Sequence, residues 1–210
     1  AEAAADARLD VSAPVRTIGA IAAARHGDVD AASEAADLIW LSSDGKANAH
    51  QQRQFAQRLA EATVKWTDAQ VAQVRDYPPQ IKAALGSFNH KERERAAGLV
   101  SSLGRFGSAS LSDMLQRWED DVRLYAYLRR LGPLAASAVP MLTERLKDES
   151  RGSQRPYIAL TLGCIGGAAK DALPHMRALH KQEQSFHDRS NYSKAIKAIE
   201  NDEPLQPDAR

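Results

Sequence analysis

The histidines, the cysteine and the paired carboxylates are the side chains of this sequence that could do chemistry, but their spacing favours no reaction. His175 and His180 are five residues apart, which separates them by roughly 140° around a helix, too far for both to bind one metal ion. Cys164 is the single cysteine and lies in an apolar stretch, so we expect a small buried side chain rather than a nucleophile. Asp120 and Asp121 begin a predicted helix, where carboxylates favour the helix dipole. We therefore predict no catalytic residue, no metal site and no cofactor.

Composition and common motifs narrow the class of protein further. The 210 residues include Lys+Arg 28 against Asp+Glu 27, so a nucleic-acid partner, which favours a basic excess, is not predicted. No apolar run approaches the roughly 20 residues that span a bilayer. The sequence has no His-Glu-x-x-His helix, no Gly-x-Ser-x-Gly elbow and no phosphate-binding loop. Abundant alanine and few β-branched runs favour packed helices over sheet.

A Leu-Gly pair recurs at the end of three predicted helices, at Leu103-Gly104, Leu131-Gly132 and Leu162-Gly163. The positions seven, four and three residues before each leucine form one helix face, which is apolar except at Arg155: Ala96, Leu99, Val100, Leu124, Tyr127, Leu128, Arg155, Ile158 and Ala159. The glycine after each stripe can adopt the left-handed conformation that ends a helix. A period of roughly thirty residues predicts stacked antiparallel helix pairs, an all-α solenoid, in which Leu131 and Leu162 are equivalent core positions.

Caps and prolines place the helix boundaries. Asp28 or Asp30, and later Thr67, suit the N-terminal caps of two helices, and Pro78-Pro79 must interrupt a helix. The predicted helices cover 14–25, a stretch from the cap at Asp28 or Asp30 to about 42, and then 47–65, 68–77, 81–86, 90–104, 109–119, 121–131, 135–148, 153–164, 168–182 and 190–200. The apolar side chains predicted to face inward include Phe55, Leu59, Ala62, Trp40 and Trp66, and Trp118 is expected at the boundary of the core.

Two segments resemble bacterial HEAT-like repeats of the PBS-lyase type. The first runs from Val122-Arg123 through Leu131-Gly132-Pro133 to Met141-Leu142, and the second runs from Leu162-Gly163-Cys164 to His175-Met176. Pro140 and Pro174 each lie near the start of a second helix. The segment 104–115 lacks the proline, and before residue 89 the resemblance consists of helix pairing alone. The resemblance implies an α-solenoid, but not a function, because HEAT-like proteins serve as scaffolds, inhibitors, chromophore-lyase subunits and DNA-repair enzymes.

The resemblance also implies a domain organisation. We expect one HEAT-like α-solenoid domain over 1–200, with degenerate repeats over 1–88, regular repeats over 89–182 and a capping helix over 190–200. The terminal helix is expected to differ from the repeats because it must face water. The polar stretch 201–210 is predicted to be a flexible tail.

In HEAT-like solenoids the second helix of each pair lines the concave face, so the resemblance implies a partner-binding surface. Aligning Pro140 with Pro174 pairs Met141 with His175 and leaves Leu142, Leu146, Leu173 and Met176 on the buried stripe. The residues predicted to face a partner are Ser137, Met141, Glu144 and Asp148, with Asp171 and His175 beside them, and Met114, Arg117, Trp118 and Asp121 on the preceding second helix. Apolar anchors among mixed charges suit a protein partner.

These observations predict a non-enzymatic module that binds another protein. One specific form is an inhibitor or immunity-type protein of the bacterial envelope. The start Ala-Glu-Ala-Ala-Ala suits a chain after signal-peptide cleavage and thus a periplasmic or otherwise extracytoplasmic location; a cytoplasmic location is the alternative. Two other functions stay open, namely a HEAT-like enzyme (DNA glycosylase-like or chromophore-lyase-like) and a structural module of a larger assembly protein. The sequence does not specify an oligomeric state.

Overall fold

The computed structural model describes residues 13–42, 49–74, 78–117 and 123–206. Across these ranges the regular secondary structure is helical and contains no strand, so the predicted all-α class is confirmed. The chain divides into two compact units, Ala1–Arg117 and Trp118–Arg210. This division lies inside the stretch 89–182 that was predicted as regular repeats, and one continuous solenoid over 1–200 stays a prediction.

The first unit contains eight helices in its described part: α1 (Ala13–Arg25), α2 (Val29–Leu41), α3 (Ala49–Thr63), α4 (Asp68–Ala72), α5 (Pro79–Leu85), α6 (His90–Ser102), α7 (Gly104–Ser108) and α8 (Leu111–Arg117). Local chemistry explains their starts. Asp28 accepts a hydrogen bond from the backbone of Ala31 at 2.8 Å, and Thr67 and Gln70 form a reciprocal capping box. Pro79 occupies the first turn of α5, where its missing N–H costs nothing.

Two tryptophans, Trp40 and Trp66, are buried in the core of the first unit. Trp66 donates from Nε1 to the carbonyl oxygen of Ala24 at 3.0 Å, and its ring meets Phe106 edge-on with centroids 6.2 Å apart. Trp40 is buried, and the guanidinium of Arg95 lies 3.9 Å from its ring centroid. The predicted inward positions Trp40, Trp66, Phe55, Leu59 and Ala62 are confirmed as buried, whereas Trp118 lies outside the described residues.

The second unit contains five α-helices and three 3₁₀ helices in its described part. The α-helices are α9 (Leu124–Leu131), α10 (Val139–Lys147), α11 (Arg155–Ile165), α12 (Leu173–Gln182) and α13 (Phe186–Asn201); the 3₁₀ helices are Gly132–Ala138, Glu149–Gln154 and Gly166–Ala172. Pro140 and Pro174 lie in the first turns of α10 and α12, as predicted. Leu142, Leu146 and Met176 are fully buried, while Leu173 is half-buried.

A repeated local arrangement follows α9 and α11. Each helix ends at a glycine with positive φ, +56° at Gly132 and +81° at Gly166, and each glycine opens a 3₁₀ helix that leads into a second α-helix. Because an L side chain disfavours positive φ, glycine suits both positions. The predicted end of this helix at about residue 164 is close to its observed end at Ile165, but the prediction that Gly163 is the glycine that closes it is wrong, because Gly166 has the positive φ. Aligning the two glycines pairs Leu131 with Ile165 and Leu128 with Leu162, so the predicted equivalence of Leu131 and Leu162 is wrong by three residues.

Gly163 instead allows α11 and α13 to pack closely. A Cβ added there would lie 2.8 Å from Cα of Ala195 and 2.9 Å from Cδ1 of Leu205, so a side chain would collide with the neighbouring backbone. The residues after α13 also lie on this side of α11. Leu205 donates its backbone N–H to the carbonyl of Gly163 at 3.1 Å, and the N–H of Gly167 donates to Oδ1 of Asp202 at 2.8 Å.

These contacts correct the prediction of a flexible tail over 201–210. The polar composition suggested a solvated segment, but Leu205 is half-buried, and its backbone hydrogen bond holds it against α11. Residues 201–206 therefore form an ordered end to the second unit, and residues 207–210 lie outside the described part of the chain.

Candidate functional site

The second helices α10 and α12 of the second unit carry three of the ten predicted partner-facing residues, Met141, Glu144 and His175, and Ser137, Asp148 and Asp171 lie within two residues of these helices. These two helices contact each other, and Met141 is half-buried between the exposed positions. The predicted residues that the structure exposes here are Ser137, Glu144, Asp148, Asp171 and His175. We refer to Met141, Glu144, Lys147 and His175 as the α10–α12 surface.

The charges on the α10–α12 surface interact. Nζ of Lys147 donates to Oε1 of Glu144 at 2.7 Å, one helical turn away. The pKa of Glu144 lies below its usual range because of this hydrogen bond, then because of the charge of Lys147 and, to a smaller extent, that of His175. His175 is therefore close enough to Glu144 to act on it electrostatically, so the structure brings these two predicted residues together. The surface therefore presents the side chains of an acidic residue, a lysine and a histidine beside an apolar thioether.

Other predicted residues do not join this surface. Met114 is fully buried in the first unit, so its predicted exposure is wrong. The prediction transferred the phase of the second helices to a segment that lacks their proline, whereas α8 begins at Leu111 and buries Leu111 and Met114 on one face. Trp118 and Asp121 lie outside the described residues, as does the side chain of Arg117.

Arg145 was not among the residues predicted to face a protein partner, and the sequence suggested it only as a possible cationic residue of a DNA glycosylase-like surface. It lies on α10 one turn after Leu142, among the fully buried positions of that helix, and is only 6 % exposed. Its Nη1 and Nη2 atoms are buried and have no hydrogen-bond partner among the described residues. The sequence did contain a signal, because Arg145 follows Leu142 by three residues and precedes Leu146 directly, which places a charge beside the apolar stripe.

Arg155 lies near the C-terminal end of the same helix. Its Nη2 donates to the carbonyl oxygen of Lys147 at 3.2 Å, which satisfies one of the free carbonyls at the end of α10. The Nε of Arg155 is buried and has no hydrogen-bond partner in the described part of the chain. Arg155 is also the polar exception in the apolar stripe, and its position at the first residue of α11 explains why a charged side chain is tolerated there.

The described residues show no group suited to a metal ion. Within the ranges given above, no three His, Cys, Asp or Glu side chains come together as a possible ligand set. Cys164 is 2 % exposed, so the prediction of a buried cysteine is confirmed. None of the helices described is both long and apolar enough to cross a bilayer.

Comparisons with protein-family models, curated proteins and solved structures found no match to this chain. The chemistry of the α10–α12 surface and of the buried arginine therefore has to be inferred from the residues themselves.

Proposed function

We propose that this chain is a non-enzymatic module that binds another protein through the α10–α12 surface of its second unit. The observation that carries the proposal is the combination of a half-buried Met141 with the Glu144–Lys147 pair and His175 on one exposed face. A flexible thioether fits varied apolar side chains of a partner. Charged groups at the border of the α10–α12 surface orient the partner and disfavour the binding of other proteins.

The proposal includes a HEAT-like solenoid with the α10–α12 surface on its concave side. The repeated order of a helix, a glycine with positive φ, a 3₁₀ helix and a second helix that begins with proline supports it within the second unit. Stacked helix pairs expose an extended surface without needing catalytic geometry. The more specific form of the proposal is an inhibitor or immunity-type protein, whose partner loses its activity in the complex.

Affinity capture with matched variants tests the binding proposal. The full chain is the bait in an extract of the source organism, and the retained protein is quantified at moderate salt. Lys147→Glu reverses a charge within the surface, and Met141→Ala removes its apolar anchor; each should weaken retention by at least about fivefold. Lys194→Glu makes the same charge reversal at an exposed position of α13 and should leave retention unchanged.

The outcomes separate the parts of the proposal. Equal retention by Lys147→Glu, Met141→Ala and the wild type contradicts the α10–α12 surface as the binding site. A chain that retains no protein at all contradicts the protein-binding function. A stoichiometric complex in which the partner keeps its full activity contradicts the inhibitory form alone.

A further inference from the structure

The guanidinium of Arg145 is a buried positive charge to which the described residues offer no hydrogen-bond acceptor. The residue is 6 % exposed, and both Nη1 and Nη2 lie beneath the surface. Arginine does not lose its charge by deprotonation in proteins, and a buried charge without a partner is destabilising. Stability alone therefore does not explain why an arginine occupies a core-facing position of α10.

A second arginine adds positive charge to the same part of the second unit. Arg155 reaches the last carbonyl of α10 through Nη2, and its buried Nε has no hydrogen-bond partner within the described ranges. The helix α10, the 3₁₀ helix Glu149–Gln154 and α11 pack against one another. Arg145 and Arg155 therefore both carry buried N–H donors that have no hydrogen-bond acceptor in the described part of the chain.

The unused donors of Arg145 suit an oxyanion that accepts two parallel hydrogen bonds. A guanidinium presents N–H groups in a planar fork that matches the two oxygens of a carboxylate. Glu144 and Asp148 are exposed on either side of Arg145 in sequence. Lys147 offsets the charge of Glu144, and the remaining negative charge of Asp148 repels a dianionic phosphate more strongly than a monoanionic carboxylate. The long aliphatic stem of arginine lets the charged head reach the surface by a change of rotamer.

We propose that Arg145 anchors a carboxylate of the protein partner, with Arg155 adding positive charge near the C-terminal end of the same helix. The carboxylate is an aspartate or glutamate side chain or the C-terminal carboxylate of the partner. This inference rests on the proposed function and specifies its partner chemistry, because it requires an acidic group at the centre of the partner's contact surface. Binding then supplies the acceptor that the free chain lacks, so the buried charge contributes to affinity at the expense of the stability of the free chain.

The stability of a methionine variant tests whether the guanidinium lacks an internal partner. Arg145→Met keeps an unbranched side chain of similar length and removes the charge, so it should raise the melting temperature of the free chain by about 4 to 8 °C. Arg177→Met is the matched control, since Arg177 is 56 % exposed and pairs with Glu200; it should shift the melting temperature little. A melting temperature for Arg145→Met below that of the wild type overturns the inference, because it indicates an internal partner.

Carboxylate binding is tested with sodium acetate as the probe. Acetate should raise the melting temperature of the wild type above that in sodium chloride at equal pH and ionic strength, since a ligand that binds only the folded state stabilises it. The increment should vanish in Arg145→Met and persist in Arg177→Met. An NMR titration of the arginine side chains of the wild type provides a readout that needs no variant. An absent increment, one that Arg145→Met keeps, or a larger increment with sodium phosphate overturns the carboxylate site.

Capture with the same variants separates this inference from the proposed function. If Arg145 is the anchor, Arg145→Met should weaken retention of the captured protein by at least about 30-fold, and Arg177→Met should not. Retention that Lys147→Glu weakens and Arg145→Met leaves unchanged overturns the carboxylate anchor while the protein-binding surface stands. Retention unchanged in Lys147→Glu, Met141→Ala and Arg145→Met overturns both.

Discussion

Replacing Gly163 by alanine should destabilise the second unit, although alanine is the better helix former. Gly163 lies inside α11, and its Cα faces α13 so closely that an added Cβ would lie 2.8 Å from Cα and 2.9 Å from Cβ of Ala195. Carbon atoms in contact are normally about 3.5 to 4.0 Å apart. The two helix backbones must therefore separate by roughly 0.7 Å or more to accept the methyl group.

The expected change in the free energy of unfolding combines two destabilising effects of the added methyl group with one stabilising effect. Overpacking a well-packed core costs about 1 to 3 kcal/mol, and separation of the helices also strains the hydrogen bond from Leu205 to the carbonyl of Gly163, which contributes about 1 kcal/mol. Alanine returns about 0.5 to 1 kcal/mol through its helix propensity. We expect a net loss of about 2 kcal/mol in the free energy of unfolding.

Urea denaturation followed by circular dichroism measures this loss, with two glycine variants as controls. A Cβ added at Gly98 or Gly152 meets no atom within 4 Å. Gly98→Ala, within α6, should stabilise the chain by about 0.5 to 1 kcal/mol, and Gly152→Ala, at an exposed position, should change the stability by less than about 0.5 kcal/mol. If Gly163→Ala is as stable as the wild type, the close approach of α11 and α13 is refuted.

Three further predictions concern buried groups. Leu131→Ala and Leu162→Ala should each lower the free energy of unfolding by about 2 to 5 kcal/mol in urea denaturation, because both leucines are buried; negligible losses at both would contradict their core positions. Burial, followed by the negative charge of Glu183, raises the pKa of Tyr192 to about 12 from 10.0. The protonated phenol therefore contributes fully to the free energy of unfolding below about pH 10, and this contribution is lost as the pH rises towards about 12. Tyr192→Phe should remove this loss, up to about 1.4 kcal/mol per pH unit, and parallel stability curves for the two proteins would disprove it. Burial also raises the pKa of Asp37. In thermal melts, the stability of Asp37→Asn relative to the wild type should therefore increase from pH 3 to pH 7. If the two proteins differ in stability by the same amount at both pH values, the Asp37 carboxylate is not desolvated.

The helices and their caps could be predicted from the sequence because they depend on neighbours in the chain. Asp28 caps α2 through a backbone N–H three residues away, and Thr67 pairs with Gln70 across the same short distance. Apolar spacing likewise predicted the buried face of α3, including Leu59. Interactions over one helical turn are contained in a window of a few residues, so composition and spacing suffice.

The candidate site was predictable only in part. The proline-based alignment placed Glu144 and His175 on one surface, and the structure brings them within electrostatic range. The same transfer failed for Met114, because α8 begins at a different phase and buries this side chain. The burial of the Arg145 guanidinium without a hydrogen-bond partner was not predicted, because it depends on what surrounds this side chain in three dimensions.

The sequence by itself determined that the chain is helical, where most helices lie, and which faces are apolar. Only the tertiary structure decided between Gly163 and Gly166 as the end of α11, because both glycines permit a positive φ. Gly166 adopts it, with φ +81°, while Gly163 stays helical and accommodates α13, a helix that follows about twenty residues later in the chain. A close approach between distant segments depends on how the whole unit packs, and no local pattern specifies that packing.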